Sequence, residues 1–210
     1  MKYLPELIRY NPHIKRFCDI ILSAIAFILL SPVFVLTCIL ICIDSKGPPF
    51  FMQERIGKGM IPFRLVKFRS MTCNDQSERC QFHPGDNCRV TKVGKVLRRT
   101  KIDELPELFN ILRGNMSIVG PRPEVERYTR CHALEFEEIM KLRPGLSDFA
   151  SIKYRDEETL LACQADPEKC YIDLILPDKL RLAREYAQNI SLKTDMRIIL
   201  ATVKNITAKS

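Results

Sequence analysis

From Ile20 to Ile43 the chain reads IILSAIAFILLSPVFVLTCILICI, without a single charged residue. As one helix it would extend about 36 Å, at about 1.5 Å per residue, enough for a hydrocarbon core of about 30 Å. Three features argue against a plain crossing. Pro32 stands in the middle, where it removes a backbone hydrogen bond and crowds the preceding turn. Ser31 beside it can satisfy the freed carbonyl, so Ser31-Pro32 reads as a deliberate bend. Both flanks are basic: Lys2, Arg9, Lys15 and Arg16 precede the run, and Lys46, Arg55, Lys58 and Arg64 follow it. The positive-inside rule then places both ends on one side. A cleavable signal peptide would have a shorter apolar region and a small-residue cleavage site, and the run shows neither. A re-entrant helix that enters, bends and leaves by the same face meets all three conditions, and a straight bitopic span is the alternative. Within KRFCD, Asp19 lies one turn from Lys15 and Arg16, a spacing that predicts a local ion pair.

The chain's 210 residues suffice for one globular domain with its own core. The expected division is residues 1–46 for the membrane helix and 47–210 for a catalytic domain. A formal net charge of +8 calls for an anionic partner: nucleic acid, an anionic membrane surface or a phosphorylated substrate. No Lys/Arg run is long enough for a nucleic-acid arm, so no nucleic acid is expected. Nine cysteines, an odd number with Cys38 and Cys42 inside the apolar run, argue for a reducing compartment over a disulfide framework. Cys73, Cys80, His83 and Cys88 are too loosely spaced for a CxxC-type zinc site and read as free groups in a loop.

Beyond Gly47 the expected fold is mixed α/β and helix-rich. Pro49 to Gln53 is a short extended run. FRLVKFRS, Phe63 to Ser70, is a strand with Phe63 and Leu65 inward. Residues Thr72 to Arg89 form a polar loop. Leu105, Leu108, Phe109 and Leu112 make a helical stripe. Pro106 belongs in a first turn, which sets the helix start near Asp103 as its cap, and Gly114 ends it. Further helices are expected over Glu124–Leu142, Pro177–Asn189 and Leu192–Ile206. The last two are amphipathic and suit either a membrane surface or ordinary packing.

An acidic pair, Asp103-Glu104, interrupts three basic-rich motifs: KFRSM, LRRTKIDELPEL and SIVGPRPE. An isolated pair of this kind is usually a helix cap with a solvated neighbour. Taken with KRFCD, the Ser31-Pro32 break, PPFFMQERIGKGMIPFRLVKFRSM, RRTKIDELPELFNILRGNMSIVGPRPE and RPGL, the pattern strongly resembles the bacterial sugar transferases, the monotopic phosphoglycosyl transferases. The resemblance runs from Lys15 to about Leu146, in the family's order.

That resemblance implies transfer of a phospho-sugar from a nucleotide diphosphate sugar, a UDP-sugar, to a polyprenol phosphate such as undecaprenyl phosphate, releasing UMP. It implies Asp103 as nucleophile, carrying a covalent phospho-sugar, and Glu104 as ligand of a divalent cation, Mg2+. Lys67, Arg69, Arg98 and Arg122 would hold phosphate or nucleotide groups. The implied setting is the cytoplasmic face of a bacterial inner membrane, at the first membrane step of a surface polysaccharide or lipopolysaccharide. Homo-oligomerisation is left open. Only Met1 to Ile14 precede the membrane segment, so the expectation is a small member lacking the multi-span region of longer relatives.

One stretch departs from the family pattern. After Arg143-Pro144-Gly145-Leu146 the family usually continues with Gly and an aromatic, often Trp, whereas Asp148 and Phe149 follow Ser147 here. A carboxylate beside a diphosphate is unfavourable, so Asp148 either points away or donor recognition differs. Two rival functions are a non-enzymatic basic membrane adaptor and a glycosyltransferase that releases nucleoside diphosphate.

Overall fold

Ser31 and Pro32 bend the N-terminal apolar segment. In the computed structural model, which describes residues 11–72 and 89–208, this segment forms two helices, α1 (Pro12–Leu29) and α2 (Ser31–Asp44), meeting at 60°. Asn11 caps α1 by accepting from the His13 N–H, and Ser31 Oγ donates to the Ile28 carbonyl at 2.8 Å. No single described helix is long and apolar enough to cross a membrane; α1 and α2 reach that length and composition only as the bent pair.

The pair is inside-out. In α1 the buried residues are Asp19 and Ser23, while Ile28 and Leu29 are 70% and 71% exposed; in α2 Ile43 is 78% exposed. Water would not favour this arrangement, and continuous apolar patches of this kind mark a surface meant to be covered. Asp19 is not paired with its helical neighbours. Its Oδ2 accepts from Ser117 Oγ at 2.8 Å and its Oδ1 from the Ile118 N–H at 3.1 Å. Lys15 instead reaches Asp195 at 2.5 Å, and Arg16 donates to the carbonyls of Ile111 and Leu112. Burial explains the difference: the backbone and hydroxyl donors of residues 117 and 118 are fixed in place, whereas local cations on α1 have better partners elsewhere.

After the helices come an antiparallel hairpin, β1 (Phe50–Ile56) and β2 (Pro62–Phe68), then α3 (Lys92–Thr100) and α4 (Glu107–Arg113). Phe63, Leu65 and Phe68 face Leu97, Leu108 and Ile111 in one core that also takes in Phe34. The rings of Phe27, Phe34, Phe68 and Phe109 pack at centroid spacings of 4.7 to 5.3 Å where they touch in turn, so the bend is stapled to hairpin and α4 alike. Asn110 adds a polar tie: its Oδ1 accepts from the Val66 N–H and its Nδ2 donates to the Arg64 carbonyl. Gly114, at φ 93°, ends α4 as expected.

A two-stranded parallel sheet follows, β3 (Ser117–Val119) with β4 (Gly145–Ser147), joined through α5 (Glu126–Thr129) and α6 (Ala133–Ile139). The single helix expected over 124–142 is thus two short ones with a 3-10 turn between, where His132 leaves helical geometry. Gly120 and Gly145 let the sheet's backbones touch: a Cβ on Gly145 would stand 2.1 Å from the Gly120 nitrogen. The remaining helices are α7 (Phe149–Lys153), α8 (Glu157–Ala162), α9 (Pro167–Cys170), α10 (Leu176–Gln188) and α11 (Leu192–Thr207). Of these, α8, α9 and α10 pack into a second core around Tyr128, Phe136, Met140 and Tyr171, while α7 and α11 close on Val119 and Tyr186 in a third. Both α1 and α11 pack on β3.

Asp19→Ala strips the Ile118 N–H and one Ser117 bond of their acceptor inside the protein. The expected loss is about 1–3 kcal/mol of stability, read by thermal or denaturant unfolding. An unchanged midpoint would mean that this tie does not hold α1 to β3.

Candidate active site

Lys101 closes α3 in left-handed backbone, φ 58° and ψ 17°, a conformation that costs a non-glycine residue energy and tends to persist where function demands it. The chain then drops into a 3-10 turn, Ile102–Glu104, closed by Glu104 N–H to the Lys101 carbonyl at 3.2 Å. Regular helix begins only at Glu107, with Pro106 ahead of it and no side-chain cap. Asp103 therefore does not cap α4. The 3-10 turn and Pro106 delay the helix, and Asp103 is turned into the protein instead. Its Oδ1 is buried with no hydrogen-bond partner.

Glu104 is held from two sides. Its Oε1 accepts from Lys67 Nζ of β2 at 3.0 Å and from Arg122 Nη2, beyond β3, at 2.5 Å. Lys67 also meets Glu107 Oε1 at 3.2 Å. Glu107 had drawn no attention in the sequence, although it stands three residues after Glu104, a spacing that puts both on one side of a helical turn.

The three carboxyls experience different environments. Burial pushes Asp103 up to about 6, Glu104's charge adding to the effect against Lys67, Lys101 and Arg98. Burial pushes Glu107 up to about 7, only partly offset by Lys67. Burial acts the same way on Glu104, but Arg122 and Lys67 outweigh it and keep Glu104 well below the usual carboxylate range. The Arg122 guanidinium is correspondingly raised, chiefly by Glu104. Two carboxyls kept closer to neutrality beside one firmly ionised is the environment-driven separation that acid–base and nucleophilic sites exploit.

Lys67, Asp103, Glu104 and Arg122 line a cavity of about 1010 Å³. Arg98 lines it too, its Nε donating to Ser70 Oγ at 3.0 Å. Arg69 borders the same space; its Nη2 donates to the Ser45 carbonyl at 2.7 Å and to Ser45 Oγ at 3.0 Å, tying the end of β2 to the end of α2, while its Nε is buried without a partner. The fold thus brings Lys67, Arg98, Asp103, Glu104 and Arg122 together and gives Arg69 a bracing position. Ser31 and Pro32 stay at the bend.

Asp148 does not line the cavity, but its charge still reaches Arg122 and helps to raise it. It caps α7, its Oδ1 accepting from the Ser151 N–H and Oγ at 2.6 and 2.5 Å, and Ser151 Oγ in turn lies 3.4 Å from Arg122 Nη1. On the other side, Glu124 accepts from Arg55 and from the Tyr171 hydroxyl, while its carbonyl accepts from the Ile56 N–H. The Pro121–Glu124 segment is pinned at both ends, and Arg122 with it.

Among the described residues no three His, Cys, Asp or Glu groups gather as a metal site. Cys73, Cys80, His83 and Cys88, and most of the Thr72–Arg89 loop, lie outside the described residues.

Because Glu107's folded value lies above its ordinary one, it favours the folded state less as pH rises from about 4.5 to about 7. In chelator-treated protein, the melting temperature of the unsubstituted chain should fall relative to Glu107→Gln between pH 5 and pH 8. Parallel curves would show that Glu107 stays ionised throughout.

Residues 10–209 match the bacterial sugar transferases. The chain is 38% identical over 196 residues to a UDP-N-acetylgalactosamine-undecaprenyl-phosphate N-acetylgalactosaminephosphotransferase of Aeromonas hydrophila, covering 92% of this chain and 43% of that protein. It is 34% identical over 196 residues to a UDP-glucose:undecaprenyl-phosphate glucose-1-phosphate transferase of Caulobacter vibrioides, covering 91% and 69% respectively. Against the exopolysaccharide production protein PSS of Rhizobium leguminosarum bv. phaseoli it is 34% identical over 208 residues, covering 90% and 93%. The chain thus spans less than half of the Aeromonas relative and nearly all of the Rhizobium one. A match from end to end, against relatives of such different length, places the chain in the bacterial sugar transferase family.

Proposed function

We propose that the protein moves a phospho-sugar from a UDP-sugar to undecaprenyl phosphate, releasing UMP, through a covalent intermediate on Asp103. One observation carries this reading: the buried Oδ1 of Asp103 has no partner, while its neighbour Glu104 is clamped by Lys67 and Arg122. Free oxygen and fixed cations in one cavity are what phosphoryl transfer requires. The names of the relatives supply the substrate classes.

In the first half-reaction an Asp103 oxygen attacks the sugar-bearing phosphorus. The bond from that phosphorus to the UMP oxygen breaks, and UMP leaves with the electron pair. In the second, an oxygen of undecaprenyl phosphate attacks the same phosphorus and Asp103 departs as carboxylate. Lys67 and Arg122 keep Glu104 in position and lend positive field to the phosphates, and Arg98 adds charge beside Asp103. Glu104, whose hard carboxylate has Oε1 held by Lys67 and Arg122, would hold Mg2+, which commonly takes one or two carboxylates and completes its shell with phosphate and water. When bound there, the ion neutralises diphosphate charge that builds on the leaving oxygen.

The inside-out α1–α2 pair, its Ser31-Pro32 bend and its basic flanks support a re-entrant placement in the cytoplasmic leaflet of a bacterial membrane. Leu192, Met196, Leu200 and Val203, exposed along α11 at helical spacing, suit the same interface.

Asp103→Asn should reduce turnover by about 10³-fold or more, since an amide cannot attack phosphorus, while membrane association persists. Intact mass spectrometry of protein trapped with UDP-sugar alone should show a phospho-sugar on Asp103. Release of UDP in place of UMP would reject the scheme in favour of an ordinary glycosyltransferase, and no lipid product at all would favour the adaptor. Chelation with EDTA should stop turnover and Mg2+ restore it; activity that survives chelation removes Glu104's metal role.

A further inference from the structure

Arg122 has a second partner besides Glu104, and a residue outside the cavity governs it. The parallel pairing of β3 with β4 sets this up. Val119 stands opposite Ser147, and the Gly120 N–H donates to the Ser147 carbonyl at 3.1 Å. Arg122 and Asp148 therefore leave the same end of one small sheet, on adjacent strands. Asp148 caps α7, and the first turn of α7 brings Ser151 to Arg122. The contacts have a direction. Asp148 Oδ1 accepts from both the N–H and the hydroxyl of Ser151, at 2.6 and 2.5 Å. A serine hydroxyl has a single proton to give, and here it goes to Asp148. What Ser151 Oγ turns toward Arg122 Nη1, 3.4 Å away, is then a lone pair. Nη2 of the same guanidinium meets Glu104 Oε1. The two terminal nitrogens of Arg122 are thus held by two different elements of the fold. Ser151 lines the cavity with Arg122, while Asp148 is buried behind it.

We propose that Asp148 and Ser151 are positioning residues for Arg122: the buried carboxylate fixes the serine hydroxyl, and the hydroxyl gives the guanidinium a seat that does not depend on Glu104. The inference rests on the reaction proposed above, in which Arg122 lends its field to the phosphates. A diphosphate and Glu104 are both anionic acceptors, so they compete for the N–H groups of one guanidinium. An arginine tied at one nitrogen alone would follow the stronger anion. Tied at the second nitrogen as well, it keeps its plane and offers its remaining N–H groups to the donor's phosphates. A neutral hydroxyl suits this task, because it accepts from Arg122 without adding a negative charge at the cavity wall. The charge sits one contact further back, on Asp148, where it helps to raise Arg122 but does not line the space that phosphates would fill. Asp148, the departure from the family pattern, thereby acquires a use beyond capping α7.

The test reads the seat directly, by phenylglyoxal modification of arginine followed by peptide mass spectrometry, on the full chain in lipid nanodiscs. Modification of Arg122 should run about fivefold faster in Ser151→Ala and in Asp148→Gly than in the unsubstituted chain. Asp148→Asn, whose amide oxygen still caps α7 and accepts from Ser151 but carries no charge, should give a smaller increase. Ser151→Thr, which keeps the hydroxyl, should restore the slow rate. Ser151→Ala retains the N–H that Asp148 accepts, so α7 keeps its cap and the unfolding midpoint should hold. The consequence for binding is read with UDP by calorimetry in the presence of Mg2+. Ser151→Ala should weaken UDP about fivefold, and should add almost nothing once Arg122 is replaced by Lys, because Ser151 acts through that guanidinium. An unchanged rate of Arg122 modification in Ser151→Ala overturns the proposal, and so does an undiminished loss of UDP affinity in the Arg122→Lys background. Modification needs no substrate. An unsubstituted chain that shows the Ser151-dependent rate but neither binds UDP nor transfers phospho-sugar sinks the reaction alone.

Discussion

Glu104 ties the structure's site together because it is one carboxylate shared by two cations from distant parts of the chain. Lys67 arrives on β2 and Arg122 on the segment after β3, and neither would be stable in a half-buried wall without an anion between them. Taking three ionised groups out of water is expensive, and their mutual attraction repays it only when geometry is close. That requirement explains much of the surrounding architecture. Asn110 locks α4 to β2, and the Glu124–Arg55–Tyr171 set fixes the backbone that carries Arg122. Removing either cation would leave Glu104 with one partner of the two.

The same arrangement leaves Asp103 chemically distinct from its neighbour. Both carboxyls are buried, one position apart, yet the direct hydrogen bonds converge on Glu104. With the cations committed, burial and the adjacent negative charge raise Asp103, and the left-handed turn at Lys101 keeps it facing the cavity. A single pair of adjacent acids is thereby divided into a positioned charge and an unpaired oxygen. Sequence neighbours acquire different roles because different chain segments reach them.

Much of this was legible before the fold was known, and the reasons differ by residue. Period and turn signals read well where they are local: β2 carries Phe63 and Leu65 inward, Gly114 stops α4, and α10 and α11 fall within a residue or two of expectation. The Ser31-Pro32 bend was readable because proline acts on its own backbone. Partnership across the fold was not. Asp19 looked paired with Lys15 and Arg16 because those lie one turn away, but its partners sit nearly a hundred residues on, at Ser117 and Ile118. Arg69 shares a motif with Lys67, but it lies one residue past the end of β2, and its Nη2 reaches Ser45. Asp103 was misread as a cap because Pro106 allows a helix start nearby, and only the backbone shows the 3-10 turn that delays it. Glu107 was hidden by the opposite effect, an ordinary-looking acid in a first turn whose burial no spacing reveals.

The cations that line the cavity also bear on the order of events in the proposed reaction. Both substrates need the same phosphorus-facing oxygen of Asp103 and the same few cations, so they cannot occupy that part of the cavity together. A direct transfer would have to crowd three phosphates against Lys67, Arg98 and Arg122, with repulsion growing as each unscreened charge is added. Storing the phospho-sugar on Asp103 allows the nucleotide to leave first and frees those cations for the acceptor's phosphate. A buried carboxylate without a partner is then the economical solution to joining a water-soluble donor and a membrane-bound acceptor at one atom.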